Sequence, residues 1–206
     1  MCWNEHVSLN TYLFSIGMLG LMIYNNKYTP YKIEGFNIYW YFFILSFCTM
    51  QLIEYFLWTH LTNKKLNYLF SVIGQCLVTI QPIVSLFLLT NVRLRQIMIF
   101  LYSIFVSIIF VTHKQIFKTT IENGHLKWTW VPIHTYLYFI WMFFLLFSFV
   151  INQYFIAIFA AIFLFIITYN SNGTGGSLWC WSINFSMIFY AIYLLIFMPL
   201  QELNSC

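Results

Sequence analysis

An all-α integral membrane bundle of about seven transmembrane helices is the fold class this sequence predicts. Two observations predict it. Hydrophobic residues make up 62% of the 206 positions and charged ones only 7%, whereas a soluble domain carries about a quarter charged residues. The apolar residues also gather into seven runs, each near the ~20 residues a helix needs to cross the hydrocarbon core. A membrane β-barrel would alternate apolar and polar residues in runs of ~10, and Phe100–Val111 shows no such alternation.

The first run, Val7–Tyr24, has no basic segment before it and no small-x-small cleavage site after it, so it reads as a retained span and not as a signal peptide. Asn37–Trp58 follows and carries Glu54, the only acidic side chain inside a span. Tyr68–Thr90 contains Gln81-Pro82 near its middle, where proline removes a helical hydrogen bond and kinks the helix. Ile97–Thr112 is short. The long connection His113–Pro132 suits a short interfacial helix followed by a turn at Asn123-Gly124, with Trp128 and Trp130 in the aromatic belt at the headgroups. Ile133–Val150, the short Tyr154–Thr168 and Leu178–Met198 complete the set, with a small-residue turn at Asn170–Ser177. One polytopic transmembrane domain spans residues 1–206.

Seven spans put the termini on opposite sides, face A for the N-terminus and face B for the C-terminus. Lys64, Lys65, Lys114, Lys118 and Lys127 fall on face A and Lys27, Lys32, Arg93 and Arg95 on face B, which decides nothing by the positive-inside rule. The first span has basic residues only after it, which favours face B in the cytoplasm. The glycosylation sequon Asn172-Gly173-Thr174 on face A fits that orientation. Which membrane holds the protein is not encoded.

His6, His60, His113, His125 and His134 all map to face A, and so does Glu54, about one turn from the end of its span. A charged side chain at a helix centre costs about 2.5–3.5 kcal/mol on insertion scales, so an intramembrane carboxyl faces the bundle interior and marks a site by default. Gln51, Glu54 and Trp58 share one helical face by their spacing, and Gln75 and Asn184 lie at matching depth on the third and seventh spans. The candidate ligand- or ion-binding set is therefore Glu54, Gln51, Gln75, Gln81, Asn184, His60 and His134. A plain packing role for Glu54 and a kink-only role for Gln81 stand beside that reading. Cys2 and Cys180 both sit at the face-A boundary, where a disulfide is open to them if that face is oxidising, with free thiols as the alternative. Cys48 and Cys76 read as two buried apolar thiols.

Several classes are argued down. The seventh span has no lysine for a retinal Schiff base, and the chain has no Cys-x-x-Cys, Gly-x-Ser-x-Gly or His-Glu-x-x-His. No cofactor and no metal is expected. Nucleic acid is not an expected partner, because the basic residues are scattered and form no patch. The lipid bilayer is the expected partner, with a small molecule or ion as ligand and a homo-oligomer left open. The favoured function is a small transporter, channel or ligand-binding membrane protein. The alternatives are an intramembrane enzyme using Glu54 and a histidine, and a structural or host-interaction protein without a site.

The segments MCWNEHVSLN at the start, MQLIEYFLW at residues 50–58 and GSLWCWSINF at 176–185, together with Gln81-Pro82, resemble an uncharacterised multi-pass membrane family, a domain of unknown function found among large DNA viruses and microbial sequences. The resemblance spans nearly the whole chain. It implies seven helices with Cys2, Trp3, Glu54, Trp179, Cys180 and Trp181 toward one membrane face, and it brings no activity or catalytic role. The abundance of Phe, Ile, Tyr, Asn and Lys matches AT-rich codons and fits a viral source.

Overall fold

The computed structural model describes residues 4–33, 35–112, 116–122, 124–129, 135–152, 162 and 179–203. Their order is α1 (Glu5–Tyr28), α2 (Ile38–Thr59), α3 (Lys64–Leu86), α4 (Val92–Thr112), β1 (Thr119–Glu122), β2 (His125–Trp128), α5 (Thr135–Ile151) and α6 (Trp179–Ile192). A π-helical turn at Tyr193–Phe197 then leads into α7 (Met198–Leu203). Among the described residues, five helical segments are long and apolar enough to cross a membrane: α1 to α4 and Asn184–Gln201. The fourth run, short in the sequence, is extended by its first turn to 21 residues. The fifth, α5, reaches 17 residues. The expected span Tyr154–Thr168 lies outside the described residues.

Asparagine starts each of the first four helices. Asn4 Oδ1 accepts from Val7 N at 2.9 Å, Asn37 Oδ1 from Tyr39 N at 3.0 Å, Asn63 Oδ1 from Lys65 N at 3.1 Å and Asn91 Oδ1 from Leu94 N at 3.0 Å. Each cap satisfies one of the amide groups that a helix start leaves without an intrahelical partner.

Side-chain pairs fix how the helices run. Asn26 Nδ2 donates to Tyr41 Oη at 2.7 Å, and Met18 and Met22 cluster with Ile44 and Cys48, so α1 and α2 are antiparallel. Phe56 stacks on Phe70 at 4.8 Å, and Gln81 Nε2 donates to the Ser46 carbonyl at 3.4 Å, so α2 and α3 are antiparallel too. Trp141 meets Val78, Ser148 meets Ser85 and Asn152 meets Leu88, so α3 and α5 run parallel. Asn184 bonds Thr11 while Tyr190 packs edge-on against Phe36 beyond the far end of α1, so α6 runs parallel to α1. Helix α4 buries only Met98 and Tyr102 and leaves Phe100, Ile104, Ile108 and Val111 exposed. An outer surface of that kind suits acyl chains and not water.

The turn of α3 before Pro82 is where neighbours dock. Pro82 has no N–H, so the Val78 carbonyl loses its helical donor. The Trp141 indole of α5 donates to that carbonyl at 3.1 Å. Tyr102 of α4 donates to the adjacent Thr79 carbonyl at 2.8 Å. One proline thus creates an acceptor site that α5 fills, with α4 held alongside.

The connection after α4 departs from expectation. Residues 119–128 form an antiparallel hairpin and not an interfacial helix, with Thr119 opposite Trp128 and Glu122 opposite His125. The reason is local: His-Leu-Lys-Trp alternates polar and apolar residues, Thr-Thr-Ile is rich in β-branched side chains, and Gly124 takes φ +76°, a left-handed conformation that favours glycine. Trp128 is accordingly not a headgroup anchor. It packs with Leu126 against Met50, Ile53 and Leu57 of α2, while Glu122 and Lys127 form an ion pair on the outer side. Trp130 lies outside the described residues.

Candidate functional site

The face-A half of the bundle contains buried polar side chains from several helices. On α2, Gln51 and Glu54 are both 0% exposed. On α1, Ser8, Thr11 and Ser15 form a buried stripe at spacings of three and four. On α3, Asn67, Ser71 and Gln75 form a second stripe at spacings of four. The α1–α2 register set by Asn26–Tyr41 and by the contact of Ser15 with the Cys48 thiol carries Ser15 toward Gln51 and Thr11 to the level of Glu54. The α2–α3 register set by Phe56–Phe70 and Gln81–Ser46 carries Gln75 opposite Gln51 and Ser71 close to the level of Glu54. Asn184 Nδ2 of α6 donates to Thr11 Oγ1 at 3.1 Å, which brings the last span to the same depth.

These polar groups are there because membrane helices pack through small and polar residues, and lipid offers a carboxyl no hydrogen bond. Gln75 Oε1 and Trp58 Nε1 are buried in this region without a hydrogen-bond partner among the described residues. Buried polar atoms are normally paired with protein or ordered water, so these mark an interior that holds polar company.

The hairpin closes this region at its face-A end. Thr119 is buried and meets α3 through three bonds. Asn67 Nδ2 donates to the Thr119 carbonyl at 3.0 Å, Thr119 N donates to Asn67 Oδ1 at 2.9 Å, and the Ser71 and Thr119 hydroxyls lie 2.9 Å apart. The Asn67 amide therefore pairs with Thr119 as a neighbouring strand would.

The remaining expected site residues separate. Gln81 sits in the α2–α3 interface and donates to Ser46. His60 turns back on its own helix, with Nδ1 2.9 Å from the Phe56 carbonyl and its ring beside Phe70. His6 is exposed beside Glu5, and His125 lies in β2 next to the turn. His113, His134 and Cys2 lie outside the described residues, as does the Cys180 side chain. Cys48 is buried but Cys76 is exposed, so the two are not a buried pair. The reason is helical phase: Cys76 follows the inward Gln75 by one residue and turns away from the bundle.

The α1 stripe and the hairpin are the parts that sequence reasoning missed. Ser8, Thr11 and Ser15 carried a signal, small polar residues on one face of an apolar helix. The hairpin carried one as well, an Asn-Gly between a β-branched tetrad, Thr-Thr-Ile-Glu, and an alternating one, His-Leu-Lys-Trp. Among the described residues, no three of His, Cys, Asp and Glu come together to hold a metal ion. No family model, no curated protein and no solved structure matches this chain.

Proposed function

We propose that this chain is a multi-pass membrane protein with a face-A chamber, centred on Glu54, that binds a small polar molecule or ion for transport or sensing. The observation that carries the reading is the complete burial of Glu54 at the level of polar groups from α1, α3 and α6. An intramembrane carboxyl is expensive and is kept where it works. An open channel is less favoured. The residues that would have to line its far half, Gln81 and Ser85, are spent on Ser46, Leu145 and Ser148. An enzyme pairing Glu54 with His60 is less favoured as well, since His60 caps its own helix.

The seven-span topology is part of the proposal. Supporting it, α5 runs parallel to α3 toward face B, and α6 runs parallel to α1 from face A. The resemblance to the viral and microbial multi-pass family is likewise a proposal. It is supported by the meeting at one end of its segments on α1, α2 and α6.

A single cysteine at position 75, with the native cysteines replaced, tests the chamber in liposomes. Modification by a membrane-impermeant thiol reagent from one side only is expected. No modification from either side would leave a packed bundle and overturn the reading. Cysteines at positions 26 and 172 test the topology, and labelling of both from one side would exclude an odd number of spans.

A further inference from the structure

We propose that the 119–128 hairpin is a lid over the chamber, opening by release of Thr119 from α3; this rests on the chamber proposed above. Asn67, Ser71 and Gln75 recur every four residues on one face of α3, so they form a line running inward from face A. The outer two are occupied by Thr119. The third lies about one turn deeper, 7% exposed, with Oε1 lacking a hydrogen-bond partner among the described residues. The hairpin thus takes the two polar positions through which a solute would approach Gln75.

The way the hairpin is held suits reversible motion. Its polar attachment to α3 is three neutral hydrogen bonds centred on one residue, and water can replace such bonds at small net cost. Its apolar side rests on α2 through Leu126 and Trp128, and the opposite side is polar with the Glu122–Lys127 ion pair. A two-stranded hairpin is marginal without such support, so it docks or releases as one unit. Helices α2 and α3 do not need it to pair, since Phe56–Phe70 and Gln81–Ser46 join them directly.

The test uses the full chain in liposomes, with the single cysteine at position 75 and a membrane-impermeant thiol reagent. Thr119→Val removes the hydroxyl contact, and Asn67→Ala removes the other two bonds. Each is expected to speed labelling by about tenfold, the ratio for a ~1.4 kcal/mol loss of closure. Hydrogen exchange is expected to rise across residues 119–128 while α2 and α3 stay protected. Equal labelling rates with and without these changes would overturn the lid and leave the chamber standing. Absence of labelling in all variants would remove both. Exchange that rises equally in α2, α3 and the hairpin would show a general loss of packing and also overturn the lid. Gly124→Ala supplies a second variant, straining the turn at its positive φ without touching α3, and the same acceleration is expected.

Discussion

The two halves of α3 use the same kinds of polar group to different ends. From Val78 onward, each has a defined partner on a neighbouring helix: the Val78 carbonyl takes Trp141, the Thr79 carbonyl takes Tyr102, Gln81 takes Ser46, and Ser85 meets Ser148. Before Val78, Asn67 and Ser71 bond the hairpin, and Gln75 Oε1, at the level of Gln51, has no hydrogen-bond partner among the described residues. The far half is cemented by bonds between spans. The near half is closed by a cover. Buried polar residues in a membrane bundle therefore do not announce a site by their presence; what distinguishes this half is that Asn67 and Ser71 bond the hairpin and not another helix.

That contrast can be broken by substitution, starting where the effect is largest. Trp141→Ala should cost about 3–5 kcal/mol, since it removes a large packed ring and strips the Val78 carbonyl of its donor. Reversible unfolding in mixed micelles reads it. Trp141→Phe isolates the hydrogen bond and should cost about 1–2 kcal/mol. In a Pro82→Ala background most of that cost should vanish, because residue 82 then supplies an N–H to Val78. An undiminished cost there would refute the docking role of Pro82.

Asn67→Ala should lower the local stability of the hairpin by about 1–3 kcal/mol, because it leaves the N–H and carbonyl of Thr119 unpaired. Amide exchange at Thr119 measures it, and global unfolding should change much less. If both fall together, the hairpin belongs to the cemented half.

Glu54→Gln keeps shape and hydrogen-bonding capacity, so stability should change by less than ~1 kcal/mol or rise, as is common where function and stability trade off. Solute-dependent protection or flux should disappear. A loss of stability comparable to that of Trp141→Ala would make Glu54 a structural residue. The smallest effect is expected at Ser107→Ala on α4, within ~0.5 kcal/mol, because its hydroxyl only bonds the Ser103 carbonyl of its own helix.

The sequence by itself determined the apolar helices among the described residues and the inward placement of Glu54. Length and apolar content suffice for a span, and asparagine before each of the first four helices sets where it starts. A carboxyl in an apolar run must turn inward whatever the partners are. Pro82 was legible as a helix breaker, but its consequence was not, because the donor that fills the gap comes from Trp141, 63 positions from Val78. Only tertiary structure decided which helices surround Glu54. The α1 stripe and Asn184 reach its level through pairings of distant residues, which no local pattern encodes. The hairpin shows the same division. Its turn and alternation were written locally, yet its docking on Asn67 and Ser71 depends on bonds spanning 52 and 48 residues, whose geometry exists only once α3 and the hairpin are folded together.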